Sequence, residues 1–121
     1  MKYWRLYADD QGESHFEEQT AEFEMVAYAP PAPALGVSSA MDATRFIFVH
    51  FPIDWFGEMH VTPRRQLFFV TEGRVEGTTS LGRVAVMEKG DVCLMEDTHG
   101  KGHATRALDG KPAHAVMVHL D

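Results

Sequence analysis

The chain has a single cysteine, Cys93, so it can form no intramolecular disulfide and carries no zinc-finger spacing. It has no excess of positive charge: 11 Lys and Arg stand against 18 Asp and Glu, a net charge of −7. An acidic surface repels phosphate backbones and anionic lipids, which argues against nucleic acid and membrane as partners. No apolar run approaches membrane-spanning length. Lys2 and Arg5 interrupt the short apolar part of Met1–Asp10, so the uninterrupted core of a signal peptide is missing, and the cytoplasm is the expected compartment. Long stretches of helical periodicity and internal repeats are also lacking.

What is present is 121 residues with 45% hydrophobic content, enough for one domain with a core that needs no staple. Short β-prone runs recur between glycine and proline turns. Strands are expected at Arg45–Phe51, Gln66–Thr71, Arg74–Thr79, Arg83–Glu88, Val92–Glu96, His103–Leu108 and His114–Leu120. Gly73, Gly82 and Gly90 punctuate the runs. Such a rhythm points to an all-β sandwich or barrel.

Residues 1–44 are read as N-terminal strands and a Pro-rich connection packing on a barrel formed by residues 45–121. Tyr3, Arg5 and Tyr7 alternate with Trp4 and Leu6 as in a strand; Ser14–Tyr28 suits either a broken strand pair or a short amphipathic helix. Residues 29–36 hold Pro30, Pro31 and Pro33, which rule out a central strand or helix interior. They form either a plain loop or an arm against the barrel or a second subunit. The run Arg45–Phe51 is apolar on both faces, with Phe46, Phe48 and His50 on one and Ile47, Val49 and Phe51 on the other. Trp55 and Phe56 are expected as lids on the core, and Cys93 as a buried, reduced thiol.

Two stretches carry the candidate chemistry: His60–Gly73, with Arg64, Arg65 and Gln66, and Gly90–His103. Together they resemble the two motifs of the cupin superfamily, G-x5-H-x-H-x3,4-E-x6-G and G-x5-P-x-G-x2-H-x3-N. Aligned on Gly73, the glutamate position of the first falls on Gln66, its histidines on His60 and Thr62, and its opening glycine on Asp54. The second begins at Gly90, its histidine falls on His103 with two extra loop residues, and its proline and asparagine are unmatched. The resemblance spans about two thirds of the chain and implies a double-stranded β-helix, or jelly-roll barrel. In the family three imidazoles and a carboxylate usually hold a divalent metal. Here two of the four positions have changed chemistry.

The resemblance implies Fe, Mn, Ni or Zn as cofactor, held by His60, His103 and Gln66, with Glu58 supplying the missing carboxylate because alternation puts it on the face of His60. The alternative is a set of polar groups satisfying one another, with no metal. For a small-molecule pocket the expected lining is His60, Gln66, His103, Thr105, Phe68 and Val70, with Phe46 and Phe48 as further wall, His50 as a further ligand-binding group and Arg64 or Arg65 as a clamp for a carboxylate. His114 and His119 lie on opposite faces of the last strand, so at most one looks inward. Three functions follow: a small-molecule-binding protein; a metal-dependent oxygenase, isomerase or decarboxylase acting on a small organic acid; or a non-catalytic dimerising module. A homodimer is the expected assembly.

Overall fold

A computed structural model describes all residues, 1–121, and contains twelve strands and no helix. They are β1 (Lys2–Ala8), β2 (Ser14–Thr20), β3 (Glu24–Val26), β4 (Leu35–Val37), β5 (Arg45–Phe51), β6 (Phe56–His60), β7 (Gln66–Glu72), β8 (Arg74–Thr79), β9 (Val84–Glu88), β10 (Val92–Met95), β11 (His103–Ala107) and β12 (Ala113–His119). No helix is long and apolar enough to cross a membrane.

The last eight strands form two sheets in the orders β5-β12-β7-β10 and β6-β11-β8-β9. Numbered within that set, the orders are 1-8-3-6 and 2-7-4-5. That interleaving is the double Greek key of a jelly roll. The first sheet is extended by β1, parallel to β10, and by β2, antiparallel to β1. Residues 1–20 are therefore strands of the sheet itself rather than a layer packed on it.

Between the sheets lies one apolar core. Leu6, Phe16, Phe51, Phe68, Val75 and Met87 are all buried, and each contributes about 1.5–3 kcal/mol by leaving water. Their rings meet edge to face, Phe51 with Trp55 at 5.1 Å and Phe51 with Phe68 at 6.2 Å between centroids. Trp55 is half-buried against this core, whereas Phe56, expected beside it as a lid, is exposed. Trp55 immediately precedes β6 and Phe56 is its first residue, and successive residues of extended chain point in opposite directions.

The two-faced run in β5 resolves by its pairing. Ala115 and Met117 of β12 face inward and stand opposite Val49 and Ile47. Phe46, Phe48 and His50 therefore point outward, and the expectation that they line the interior is wrong. Both faces of the run are apolar, so hydrophobicity could not decide its parity. His50 packs instead on the outer surface, its Nδ1 2.9 Å from Nε2 of His114, whose Nδ1 lies 2.9 Å from Glu72 Oε2.

Residues 21–44 leave the sheet at its β2 edge and return at its β5 edge. The short hairpin β3–β4 lies within this segment, and residues 29–34 form its tip. Almost all of it is exposed. The Ser14–Tyr28 region is thus two separate strands, not a helix, and its Phe16 is buried while Phe23 and Met25 are not.

Candidate functional site

The jelly roll holds a cavity of about 320 Å³ that opens to solvent at His60, which is exposed. Eleven apolar side chains make its floor and walls, among them Leu6, Phe51, Phe68, Met87 and Met117. One end is polar and collects His60, Thr62, Gln66, His103, Thr105 and His119. None of its 19 lining residues is Asp, Glu, Lys or Arg.

Local backbone chemistry brings the two imidazoles together. His60 ends β6 and His103 begins β11, and they are cross-strand partners. Gly102 adopts φ +73° and passes so close to the backbone of His60 that a Cβ there would collide with its carbonyl oxygen. The ring centroids of His60 and His103 stand 4.7 Å apart. Between the pairs His103–His60 and Thr105–Gly57, β6 spends two residues where β11 spends one, which is a β-bulge.

That bulge corrects the expectation for Glu58. Simple alternation puts Glu58 on the face of His60; the extra residue gives that face to Gly57, where an added Cβ would meet Trp55 and, at 3.2 Å, Cε1 of His60. The Glu58 carboxylate is exposed and outside the cavity, and only its backbone oxygen takes part, accepting from His60 Nδ1 at 2.5 Å.

His103 is buried and its Nδ1 lies 2.6 Å from Oδ2 of Asp97, which is fully buried. Thr62 donates its hydroxyl to Oδ1 of the same carboxylate at 2.6 Å and its backbone N–H to the Asp97 carbonyl at 3.1 Å. Asp97 thus ties the loop after β6 to the loop before β11. Sequence reasoning missed it; the signal available was an acid following the apolar β10 and six residues before His103 in a glycine-rich loop.

These bonds fix the tautomers. A backbone carbonyl only accepts, so His60 carries its proton on Nδ1, and the carboxylate of Asp97 draws the His103 proton to the same position. In the neutral rings both Nε2 atoms are acceptors with no protein partner. Gln66 is buried and turns its amide nitrogen toward Met117 Sδ at 3.4 Å and Met95 Sδ at 3.8 Å, so its amide oxygen has no protein donor. His119 faces inward opposite Gln66, while His114 faces out. Nδ1 of His119 is buried without a partner. Loss of hydration, then the charges of Arg64 and Arg45, hold its pKa below the ordinary imidazole value, which favours the neutral ring.

Neither candidate arginine clamp enters the cavity. Arg64 reaches the Asp121 carbonyl at 3.4 Å, and Arg65 pairs with Glu96 at 2.6 Å. The turn at residues 63–65 aims both side chains away from the interior, so the expectation for Arg64 as a ligand clamp is not met.

The donor set does not fit the divalent centre that the family motifs imply. No three His, Cys, Asp or Glu side chains converge on a point. Thr62 is committed to Asp97, Glu58 faces out, and His60, His103 and Gln66 bring no negative charge to offset dehydration of a dication.

No family model and no curated protein sequence matches the chain. Among solved structures it is similar to the cupin domain of Schizosaccharomyces pombe Cnp3, at 14% identity and a TM-score of 0.49, covering 100% of this chain and 83% of that one. It is also similar to ethanolamine utilization protein Q from Salmonella typhimurium, at 14% identity and a TM-score of 0.47, covering 99% and 95%. A Neisseria meningitidis protein is similar at 17% identity and a TM-score of 0.45, covering 63% and 72%. The fold, a jelly roll, rests on the strand order itself.

Proposed function

We propose that this cupin-type jelly roll binds a small, mostly apolar, uncharged molecule carrying one or two hydroxyl groups, without a metal. One observation carries the reading: the polar end of an otherwise apolar cavity holds acceptors without a protein donor, and no Asp, Glu, Lys or Arg lines it. The Nε2 atoms of His60 and His103 and the amide oxygen of Gln66 all await hydrogen-bond donors. A ligand hydroxyl satisfies them, and the hydrocarbon body fills the space among Phe51, Trp55, Phe68 and Met87.

A carboxylate ligand is disfavoured on the same ground. It brings only acceptors to the bare acceptors of His60, His103 and Gln66, and no arginine or lysine lines the cavity to neutralise it. This argues against the small-organic-acid substrate suggested by the family resemblance.

The test is a matched pair of probes of one shape. Titration calorimetry with 2-naphthol and with 2-naphthoate at neutral pH is expected to give saturable binding of the first and at least tenfold weaker binding of the second. Filling the cavity by Met117→Trp should abolish naphthol binding while the protein stays folded. Equal or tighter binding of the carboxylate would overturn the reading.

A further inference from the structure

On the outside of the barrel, three side chains stand in one row across three neighbouring strands. Glu72 on β7 pairs with His114 on β12, and His114 pairs with His50 on β5. Cross-strand partners on one face lie within reach of each other. Their contacts have a direction. The Glu72 carboxylate only accepts, so His114 carries its proton on Nδ1, 2.9 Å from Glu72 Oε2. Nε2 of His114 is then a lone pair, and it stands 2.9 Å from Nδ1 of His50, which donates the proton between them. His50 and Glu72 are exposed, His114 is partly exposed, and none of the three lines the cavity.

We infer that this row is a surface site for a late divalent transition ion, copper(II) above zinc(II), held by Nδ1 of His50 and Nε2 of His114. Moving the His50 proton from Nδ1 to Nε2 changes no charge and presents two ring nitrogens to one ion. Spacing supports copper. Two nitrogens bound at about 2.0 Å stand about 2.8 Å apart in cis positions of a tetragonal ion, and about 3.3 Å apart on a tetrahedral one. The observed 2.9 Å fits the first. Copper(II) also heads the affinity order of the divalent first-row ions for such donors. Glu72 supports the site as well. A carboxylate on the far nitrogen of a metal-bound imidazole fixes its tautomer and makes it the better donor. It also brings a negative charge near the ion, which the polar end of the cavity does not. β5 is the edge of its sheet, so the remaining positions of the ion stay with water. Two protein donors make this a weaker site than a centre of three, which the chain does not contain.

Calorimetric titration of the untagged full chain with copper(II) chloride and with zinc(II) chloride at pH 7 tests this. One equivalent of copper per chain is expected, bound at least tenfold more tightly than zinc. Electron paramagnetic resonance of that complex should show a tetragonal spectrum split by two imidazole nitrogens. His50→Ala and His114→Ala should each remove the two-nitrogen signature and weaken binding at least a hundredfold. Glu72→Gln should keep the signature and weaken binding about tenfold, the effect of losing a partner that only orients a ligand. All three side chains reach solvent, so melting behaviour should be unchanged. An absence of saturable copper binding overturns the proposal, as does zinc bound as tightly as copper. So does a two-nitrogen complex that survives either histidine substitution and therefore belongs to His60 and His103.

Discussion

His103 and Asp97 are joined inside the barrel: the imidazole Nδ1 lies 2.6 Å from a carboxylate oxygen, and both residues are buried. Asp97→Ala leaves that N–H and the Thr62 hydroxyl without their acceptor. The expected cost is about 2–4 kcal/mol of stability in urea unfolding, since each buried unsatisfied group costs about 1–3. Binding of 2-naphthol should weaken more than tenfold, because the His103 ring loses its fixed tautomer and orientation. Asp97→Asn keeps the shape and is expected to cost less on both measures.

Glu96 makes a second junction, outside the cavity. Its carboxylate receives Arg5 Nε and Arg65 Nε, both at 2.6 Å, and so joins β1 to the start of β7. Burial raises its pKa, but the bonds from Arg65 and then Arg5 outweigh that and leave it below the ordinary carboxylate value. Its contribution is present above the unfolded value of about 4.3 and is lost as pH falls through the folded one. Glu96→Gln should lower stability by about 1 kcal/mol at pH 7, a figure reduced for partial exposure, and by progressively less in acid. Denaturation midpoints of both proteins from neutral pH into acid check this.

His119 works in the same pH direction from a different cause. Dehydration, then Arg64 and Arg45, disfavour its charged form in the folded chain. Below about pH 6.5 the unfolded chain takes up a proton that the folded chain resists, so stability falls. His119→Gln should flatten the melting temperature across that window and leave it little changed above pH 7. A profile that keeps its slope in the variant removes His119 as the cause.

Cys93 is buried, and burial, followed by the nearby charge of Asp97, pushes its thiol pKa far above the ordinary value. A thiol that ionises so reluctantly is a poor nucleophile. Reaction with a disulfide reagent should be negligible in the native protein and reach one equivalent per chain after unfolding.

Much of the fold was legible because the turns were. Gly73, Gly82 and Gly90 each take positive φ at a strand end, and the seven strands expected from residue 45 onward appear within one or two residues. The meeting of His60 and His103 was legible too, through two stretches that each resemble a family motif. Three features were not. The outward turn of Phe46, Phe48 and His50 depends on pairing with β12, since both faces of β5 are apolar. Glu58 leaves the face of His60 because a one-residue bulge breaks strict alternation, and nothing in the residues Gly57–Glu58–Met59 announces it. Asp97 acquires its role only when the loop before β11 folds back on Thr62, a contact 35 residues distant in the chain.

The central claim is that two imidazoles offer bare Nε2 atoms to a ligand's hydroxyl groups. Long-range nitrogen–proton NMR of the seven histidines reads this directly. The account predicts that His60 and His103 both appear as Nδ1–H tautomers, and that saturating 2-naphthol shifts their Nε2 resonances while those of the outward His50 and His114 stay in place. Finding either ring protonated on Nε2, or Nε2 resonances at His60 and His103 that do not move at saturation, would contradict it.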